Sequence, residues 1–311
     1  MEINHIIKAK QFIDKAILDK IFSHADEFER LDKENSLPQL LTGKVLASLY
    51  YEPSTRTRFS FESAMLKLGG QVISTESAGH FSSVSKGESL SDTIRIIGGY
   101  ADVIVMRHNI VGSALTASKV SPVPLINAGD GIGEHPTQAL LDVYTIHKEF
   151  GRISDLSVAM VGDLLYGRTV HSLVTMLSKQ PGITVYLVSP PQLRIPEKYK
   201  EILKENNIEF EETYDLAKVL DKVDIFYMTR IQKERFSDKT AYEKLKGCFV
   251  VDKEIIKGMS DGAIIMHPLP RVDEISPDVD SDKRAAYFRQ ARNGLYLRMA
   301  LLKLVLGNNS Q

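Results

Sequence analysis

Short runs of β-branched and other apolar residues alternate with longer segments of helical periodicity along most of this chain. That alternation is typical of parallel sheets wrapped by helices. A chain of 311 residues also exceeds the usual size of a single hydrophobic core. We therefore predict an α/β fold with two domains, each a mainly parallel sheet flanked by helices.

Two series of strand candidates account for this pattern. The first series predicts strands at residues 45–50, 72–74, 103–106 and 123–127, and the second at 157–162, 185–188, 224–228 and 263–266. Each candidate strand is followed by polar or otherwise special residues. Ligands of open parallel sheets bind beyond the carboxyl ends of the strands, so those following residues are the candidates for a functional site.

The run Ser54-Thr55-Arg56-Thr57-Arg58 follows the first predicted strand and begins a predicted helix. The first N–H groups of a helix have no internal partner, and the helix dipole adds partial positive charge at the same place. The planar guanidinium of Arg56 matches phosphate oxygens in a bidentate way. We therefore predict a site for a phosphate-bearing ligand. The alternative is an ordinary helix cap followed by two solvated arginines.

Arginine recurs at other predicted strand ends, as Arg107, Arg168 and Arg230. Several arginines that converge on one crevice would repel each other without anionic ligands between them, so strongly anionic substrates are expected. His135 lies at a predicted helix start, where it either donates a hydrogen bond to a carbonyl oxygen or caps a turn. For His267, which precedes a proline, we predict a structural role.

Composition excludes several classes of function. The 39 Lys and Arg residues nearly balance the 40 Asp and Glu residues, so a nucleic-acid partner is not expected. Cys248 is the single cysteine, which leaves no disulfide framework or cysteine metal site and suits a reducing compartment. The first residues lack the apolar region of a signal peptide, and no apolar run reaches membrane-spanning length. We expect a cytoplasmic protein without a metal, a cofactor or a membrane partner.

Residues 162–169 support an alternative of a different class. They follow the P-loop pattern G-x-x-x-x-G-K-[ST], except that Arg168 takes the place of the lysine. A fork-shaped arginine is a poor substitute for the compact charge of that lysine, and no apolar run ends in an aspartate placed to hold magnesium. A P-loop-like nucleotide-binding protein remains the alternative. A dehydrogenase is weaker still, because G-x-G-x-x-G is absent after the strand candidates.

Five motifs together resemble the aspartate/ornithine carbamoyltransferase family. In chain order they are Ser-Thr-Arg-Thr-Arg, His-Pro-Thr-Gln, Gly-Asp-Leu-x-Tyr-Gly-Arg-Thr-Val-His-Ser, Thr-Arg-x-Gln-x-Glu-Arg and His-Pro-Leu-Pro-Arg. The resemblance implies carbamoyl transfer from carbamoyl phosphate to the amino group of L-aspartate, in de novo pyrimidine biosynthesis and without a cofactor. It further implies a carbamoyl phosphate-binding domain at 1–134, completed by a helix at about 288–311, and an aspartate-binding domain at 135–287.

The resemblance also implies roles for individual residues. The residues implied to be catalytic are Arg56, Thr57, Arg107 and His135. Those implied to bind carbamoyl phosphate are Ser54, Thr55, Arg56, Thr57, Arg107, His135, Gln138, Pro268 and Leu269. Those implied to bind aspartate are Lys86, Arg168, Arg230 and Gln232. Ser82 and Lys86 are implied to enter the site of a neighbouring subunit in a homotrimer, with regulatory chains as possible further partners.

The chemistry of the reaction fits these residue types. Attack of an amine on the carbamoyl carbon builds a tetrahedral centre with a negative oxygen, which fixed donors stabilise directly. The departing phosphate is basic enough to accept the amine proton, so no protein nucleophile is required. The nearest rival is ornithine carbamoyltransferase, whose usual His-Cys-Leu-Pro is His-Pro-Leu-Pro at residues 267–270 here. Arg230 with Gln232 suits a dicarboxylate better than an ammonium.

Overall fold

The computed structural model describes residues 3–76, 87–232 and 239–307. Two compact units make up the fold. Unit 1 comprises Met1–Leu141 and Arg292–Gln311, and unit 2 comprises Asp142–Ala291. Both limits fall inside helices, where no change in composition marks them. The domain limits drawn from the sequence, 1–134 with 288–311 and 135–287, differ from them by a few residues and stay a prediction.

The sheet of unit 1 is parallel throughout. Its strands are β1 (Val45–Tyr50), β2 (Gln71–Glu76), β3 (Val103–His108) and β4 (Leu125–Asp130). They are arranged in the order β2-β1-β3-β4. The two central strands are the most continuously apolar, as expected for strands that are covered on both faces.

Helices precede, connect and follow these strands. They are α1 (Lys15–Lys33), α2 (Thr55–Lys67), α3 (Leu90–Gly98), α4 (Ser113–Ser118) and α5 (Pro136–Phe150). The core beneath them packs Ala47, Leu49, Ile104 and Met106 of the sheet against Ile94, Ala114 and Ala117 of the helices. The abundance of Ser and Gly at residues 77–91 predicts a long loop; residues 77–86 lie outside the described residues, and Leu90 already begins α3, with Ser89 as its N-cap. That serine accepts the N–H of Asp92 at 3.1 Å.

Unit 2 contains a second parallel sheet. Its strands are β5 (Ser157–Val161), β6 (Thr184–Val188), β7 (Glu209–Thr213), β8 (Ile225–Met228) and β9 (Ile264–Met266). They are arranged in the order β7-β6-β5-β8-β9. The central position belongs to β5, so the loop that follows β5 lies between the loops of its two neighbours.

The helices of unit 2 enclose its core. They are α6 (Arg168–Leu177), α7 (Glu197–Glu205), α8 (Lys239–Leu245), α9 (Lys253–Lys257) and α10 (Tyr287–Leu306), the last of which ends in unit 1. Buried residues of the core include Ala159, Val161, Val188, Phe226, Met228, Val251, Ile256, Ile265 and Tyr287. The predicted α/β class with parallel sheets and flanking helices is confirmed.

Candidate active site

The connection between β1 and α2 carries the first predicted phosphate-binding residues. Ser54 is the N-cap of α2, and its hydroxyl caps none of the N–H groups of the helix. Thr55 and Arg56 are exposed, whereas Thr57 is buried. Because first-turn N–H groups have no intrahelical partner, this turn presents N–H groups, hydroxyls and a guanidinium at the end of β1.

Arg58, in the same turn, anchors the helix. Its guanidinium lies 2.8 Å from a carboxylate oxygen of Glu76 and 3.5 Å from one of Glu62. Glu62 also accepts hydrogen bonds from Ser48 at 2.8 Å and from Ser74 at 2.7 Å. These contacts tie α2 to β1 and β2, and they fix the turn that Arg56 occupies.

Arg107 lies at the end of β3, directly beside β1. It pairs in register with Tyr50, and its guanidinium is 3.0 Å from a carboxylate oxygen of Glu52 and 3.4 Å from the carbonyl oxygen of Ala128. Glu52 was not among the predicted site residues. A carboxylate two residues before the Ser-Thr-Arg run was the one available signal. An anion bound at this position would contact the guanidinium of Arg107 alongside the carboxylate of Glu52.

The loop after β4 positions His135 and Gln138. The carboxylate of Asp130 folds this loop, since it accepts the N–H groups of Gly112 at 2.8 Å and of Glu134 at 2.7 Å. The carbonyl oxygen of His135 then accepts the N–H of Gln138 at 3.0 Å, which starts α5. Both side chains are buried, with His135 at 4% and Gln138 at 7% exposure, so each is held in a fixed orientation.

The predicted carbamoyl phosphate residues of unit 1 lie at one edge of its sheet. The strands β1, β3 and β4 are parallel neighbours, so their carboxyl ends share that edge. The residues placed there are Ser54, Thr55, Arg56, Thr57, Arg107, His135 and Gln138. Ser82 and Lys86 lie outside the described residues.

In unit 2, the loop after β5 leads to Arg168. Gly162 begins this loop at φ +112°, and a Cβ there would lie 2.2 Å from the carbonyl oxygen of Thr229, so the close approach requires glycine. The N–H of Arg168 donates to the carbonyl oxygen of Tyr166 at 2.9 Å. The side-chain amide of Gln232 donates to the same oxygen at 3.4 Å. Two predicted aspartate-binding residues therefore meet at one peptide group.

Arg230 follows β8, the strand next to β5. The preceding Thr229 fixes this end, because its N–H and its hydroxyl both donate to the carbonyl oxygen of Val161, at 2.8 and 2.9 Å. Arg230 lines a cavity of about 30 Å³ together with Lys246 and Phe249. Arg168, Arg230 and Gln232 therefore lie at the carboxyl edge of the unit 2 sheet.

The predicted residues Pro268 and Leu269 form a turn after β9. Leu269 adopts φ +54°, a conformation that is uncommon for residues other than glycine. Its N–H donates to Nδ1 of His267 at 2.7 Å, and Nε2 of the same ring lies 2.7 Å from a carboxylate oxygen of Glu274. The buried ring of His267 agrees with the structural role predicted for it.

Comparison with known proteins decides the family. The profile of the aspartate/ornithine carbamoyltransferase carbamoyl-P binding domain matches residues 4–148, and that of the Asp/Orn binding domain matches residues 154–305. This chain belongs to the aspartate/ornithine carbamoyltransferase family. The family predicted from the five motifs is confirmed.

Individual members of the family are similar over nearly the whole chain. Chloroplastic aspartate carbamoyltransferase of Arabidopsis thaliana is 53% identical over 98% of this chain and 78% of that protein. The catalytic subunit of Methanocaldococcus jannaschii aspartate transcarbamoylase superposes with a TM-score of 0.92, 51% identity and 99% coverage of both chains. Trypanosoma cruzi aspartate transcarbamoylase, in complex with carbamoyl phosphate and aspartate, gives a TM-score of 0.92 and 40% identity over 98% of this chain and 97% of that one.

The loop after β5 differs from a P-loop, as expected for a member of this carbamoyltransferase family. A P-loop points its backbone N–H groups at phosphates. Here the N–H of Tyr166 donates to the carboxylate of Asp163 at 2.9 Å, and that of Leu164 to the carbonyl oxygen of Leu193 at 3.1 Å. These N–H groups and that of Arg168 are bonded within unit 2, which counts against the nucleotide-binding alternative.

His171 is a further residue that the sequence did not single out. It lies in α6 one turn after Arg168, at 5% exposure, and Nε2 of its ring is 2.8 Å from the carbonyl oxygen of Leu164. The ring stacks on Tyr199 with centroids 4.2 Å apart. Burial lowers the pKa of His171 to about 4, although the hydrogen bond to Leu164 raises it. The neutral ring therefore braces the loop that leads to Arg168.

Metal sites and membrane-spanning helices have no counterpart in the described part of the chain. Among residues 3–76, 87–232 and 239–307, no group of three or more His, Cys, Asp or Glu side chains could hold a metal ion. Within the same ranges, no helix has the length and apolar character that crossing a membrane requires. Cys248 is half-buried, and burial raises the pKa of its thiol, which favours the neutral form.

Proposed function

We propose that this chain transfers the carbamoyl group of carbamoyl phosphate to the amino group of L-aspartate, giving N-carbamoyl-L-aspartate and phosphate. The observation that carries the choice of acceptor is the set of Arg168, Arg230 and Gln232 at the carboxyl edge of the unit 2 sheet. Two guanidinium groups complement two carboxylates. Similarity over nearly full length to proteins named aspartate carbamoyltransferase supports the same acceptor.

The first turn of α2 holds the phosphate group in this proposal. Ser54, Thr55 and Thr57 donate hydroxyl and backbone hydrogen bonds, and Arg56 donates a bidentate pair to the phosphate oxygens. The negative charge on the phosphate grows as the bond to the carbamoyl carbon breaks. Donors fixed before the reaction stabilise that charge without reorganising, so Arg56 contributes to catalysis as well as to binding.

The carbonyl oxygen of the carbamoyl group is polarised by Thr57, Arg107 and His135. This oxygen becomes negative in the tetrahedral intermediate, and donors that lie close to it lower the barrier to attack. The carbamoyl amino group donates to Gln138 and to the carbonyl oxygens of Pro268 and Leu269. The amine proton of aspartate passes to the departing phosphate, so acid–base catalysis by the protein is not needed for this step.

The oligomer and the cellular setting belong to the same proposal. Ser82 and Lys86 enter the active site of a neighbouring chain in a homotrimer, and Lys86 contributes to aspartate binding there. Regulatory chains are possible further partners, and the product enters de novo pyrimidine biosynthesis. A cytoplasmic location is supported by the single cysteine, while the Arabidopsis relative is named chloroplastic.

An acceptor assay tests the proposed reaction. The purified chain is supplied with carbamoyl phosphate and either L-aspartate or L-ornithine, and the carbamoylated product is quantified. We expect product with aspartate alone, because Arg168 and Arg230 oppose the ammonium group that ornithine would present to them. Comparable rates with the two acceptors would contradict the assignment, and tight nucleotide binding without transfer would revive the alternative class.

Subunit mixing tests the shared site. Lys86→Ala and Arg56→Ala chains are each expected to be inactive, but a mixed trimer contains interfaces that pair an intact Arg56 with an intact Lys86. Activity should therefore reappear after mixing under conditions that exchange subunits, with exchange followed by mass spectrometry. Confirmed exchange without recovered activity would place Lys86 in its own chain's site or outside the site altogether.

A further inference from the structure

A buried pair of side chains closes the turn after β9. His267 is 2% exposed, and its Nδ1 accepts the N–H of Leu269 at 2.7 Å. Its Nε2 lies 2.7 Å from Oε1 of Glu274, which is 5% exposed. Both ring nitrogens are therefore engaged within one turn of the chain.

The partners of the ring decide which nitrogen carries the proton. A backbone N–H can only donate, so Nδ1 of His267 must present its lone pair to Leu269. The proton of the neutral ring then lies on Nε2 and is donated to Glu274. The other carboxylate oxygen of Glu274 accepts the N–H groups of Val272 at 3.1 Å and Asp273 at 3.2 Å. The pair thus holds backbone groups on both sides of the turn.

Leu269 needs this support because of its backbone conformation. A φ of +54° lies in the left-handed region, and residues other than glycine stay there only where their surroundings hold them. The ring that holds Leu269 is itself fixed, because the N–H of His267 donates to Gln290 at 2.8 Å. The amide of Gln290 donates in turn to Asp142 at 2.7 Å, and both of these residues are buried.

We propose that His267 and Glu274 are positioning residues that hold the carbonyl oxygens of Pro268 and Leu269 in place for the carbamoyl amino group. The inference rests on the proposed function, in which those two oxygens accept hydrogen bonds from that amino group. Neither side chain touches substrate. Through the shape of the turn, the pair gives the site its selectivity for a carbamoyl group over an acyl group that has no N–H to donate.

Two amide substitutions separate the two bonds of the ring. In His267→Asn, the side-chain oxygen takes about the position of Nδ1, so the acceptor for Leu269 remains while the bond to Glu274 is lost. In His267→Gln, the side-chain amide reaches about the position of Nε2, so the bond to Glu274 remains while the acceptor for Leu269 is lost. We expect the turn to keep its shape in His267→Asn and to lose it in His267→Gln.

Two stable phosphonates report on the turn. Phosphonoacetamide carries the amino group, and phosphonoacetone has a methyl group in its place; inorganic phosphate serves as a reference ligand. Calorimetry should show that the unsubstituted chain binds phosphonoacetamide more tightly than phosphonoacetone. That ratio should fall about tenfold in His267→Gln, the size of a lost hydrogen bond, and stay near its original value in His267→Asn. Phosphate affinity should be unchanged in both variants.

The outcomes separate this inference from the proposed function. A lack of selectivity in the unsubstituted chain would remove the proposed contact between the carbonyl oxygens and the amino group. Full selectivity in the unsubstituted chain and equally in His267→Gln would overturn the positioning role alone. Equally weakened binding of all three ligands in His267→Gln would show a general structural role for His267, and would also overturn the positioning role.

A second variant keeps the test decisive if His267→Gln does not fold. Glu274→Gln preserves volume but replaces one acceptor oxygen with a donor, which opposes either the N–H groups of Val272 and Asp273 or the Nε2–H of His267. The selectivity ratio should fall in this variant as well. A folded Glu274→Gln chain with unchanged selectivity, or a folded His267→Asn chain without selectivity, would contradict the proposal.

Discussion

The end of β1 and the end of β9 offer substrate-binding groups of opposite kinds. After β1 the proposed binding groups include side chains, and those of Thr55 and Arg56 are exposed to solvent. After β9 the proposed binding groups are backbone carbonyls, and the polar side chains His267 and Glu274 are buried. At the first end the residue type decides the chemistry, whereas at the second end the conformation of the chain decides it.

The contacts that support these binding groups also differ in their exposure to solvent. The ion pair of Arg58 with Glu76, whose side chain is 42% exposed, is screened by solvent and contributes little. The hydrogen bond between His267 and Glu274 joins side chains that are 1% and 7% exposed. A buried polar group that loses its partner is costly. Substitutions should therefore act on ligand chemistry at the end of β1 and on geometry at the end of β9.

Arg56→Ala should have the largest effect of any single change at these two ends. The value of kcat/KM should fall by about 10³, because the lost guanidinium holds the phosphate and stabilises its growing charge. Steady-state kinetics with varied carbamoyl phosphate measure the loss. Arg58→Ala, in the same helical turn, is the matched control. It breaks the ion pairs with Glu62 and Glu76 and should mainly lower thermal stability.

Ligand binding and anchoring would not be separate at the end of β1 if these two arginines proved equivalent. An activity loss in Arg58→Ala as large as that in Arg56→Ala would mean that anchoring and ligand binding are one function at the end of β1. A small effect of Arg56→Ala would contradict the proposed phosphate site itself.

His135→Ala should have the next largest effect. Its side chain is one of the proposed donors to the developing oxyanion, and loss of one such donor costs about 10²–10³ in kcat. Phosphate binding should change little, since His135 is not proposed to hold the phosphate. Because the side chain is 4% exposed, the melting temperature must be compared alongside the kinetics. An unchanged turnover number would leave His135 as the residue that starts α5.

The sequence was sufficient wherever the residue types themselves carry the information. The strand Val45–Tyr50 was predicted with the bounds that the structure has, because a central strand covered on both faces is a continuous apolar run. The edge strand Glu209–Thr213 was missed. Three of its five residues are glutamates, and backbone pairing with β6 holds it in the sheet.

Contacts that depend on folding were beyond the sequence. The partner of Arg107, Glu52, lies two residues beyond the end of the neighbouring strand β1, and the parallel pairing of β1 with β3 brings the two together. The role of Glu274 depends on a turn that returns to His267 with Leu269 in the left-handed region. No local pattern of residue types specifies that turn, so the motif could suggest backbone contacts but not what holds them.

His171 is a second buried histidine that supports the site, here through the loop that leads to the side chain of Arg168. Its folded-state pKa is lowered to about 4 from an ordinary value of 6.5, with burial as the main cause. Above pH 6.5 the ring is neutral in both states, and its contribution to stability is complete. As the pH falls from 6.5 to about 4, the unfolded chain binds the proton first, so the free energy of unfolding should drop by up to about 3 kcal/mol.

Urea titrations between pH 7 and pH 4 measure this drop, and His171→Gln should reduce its size. The difference between the two chains isolates His171 from carboxylates that titrate at lower pH. An equally steep loss of unfolding free energy in the variant would mean that groups other than His171 cause the drop in stability at low pH. The loop before Arg168 would then owe its order to packing, unlike the turn after β9.

Tyr227→Phe should have the smallest effect, because it lies at the far end of the hydrogen-bond chain behind the turn after β9. The hydroxyl of Tyr227 donates to Asp142 at 2.7 Å, and Gln290 donates to the other oxygen of that carboxylate at 2.7 Å. The free energy of unfolding should fall by roughly 1–2 kcal/mol, at the low end for a bond to a charged group, since Gln290 still holds Asp142. Chemical denaturation measures that loss.

Selectivity for phosphonoacetamide over phosphonoacetone should survive in Tyr227→Phe. The bond from His267 to Leu269 is three links away from Tyr227, and the intervening Gln290 keeps both of its own hydrogen bonds. A stability loss without a selectivity loss would show that the geometry of the turn is set locally, by His267 and Glu274. If selectivity fell as far as in His267→Gln, the hydrogen-bonded residues from Tyr227 through Asp142 and Gln290 to His267 would act as one unit. The geometry of the turn after β9 would then depend on buried contacts deep in unit 2, whereas the end of β1 depends on its own side chains.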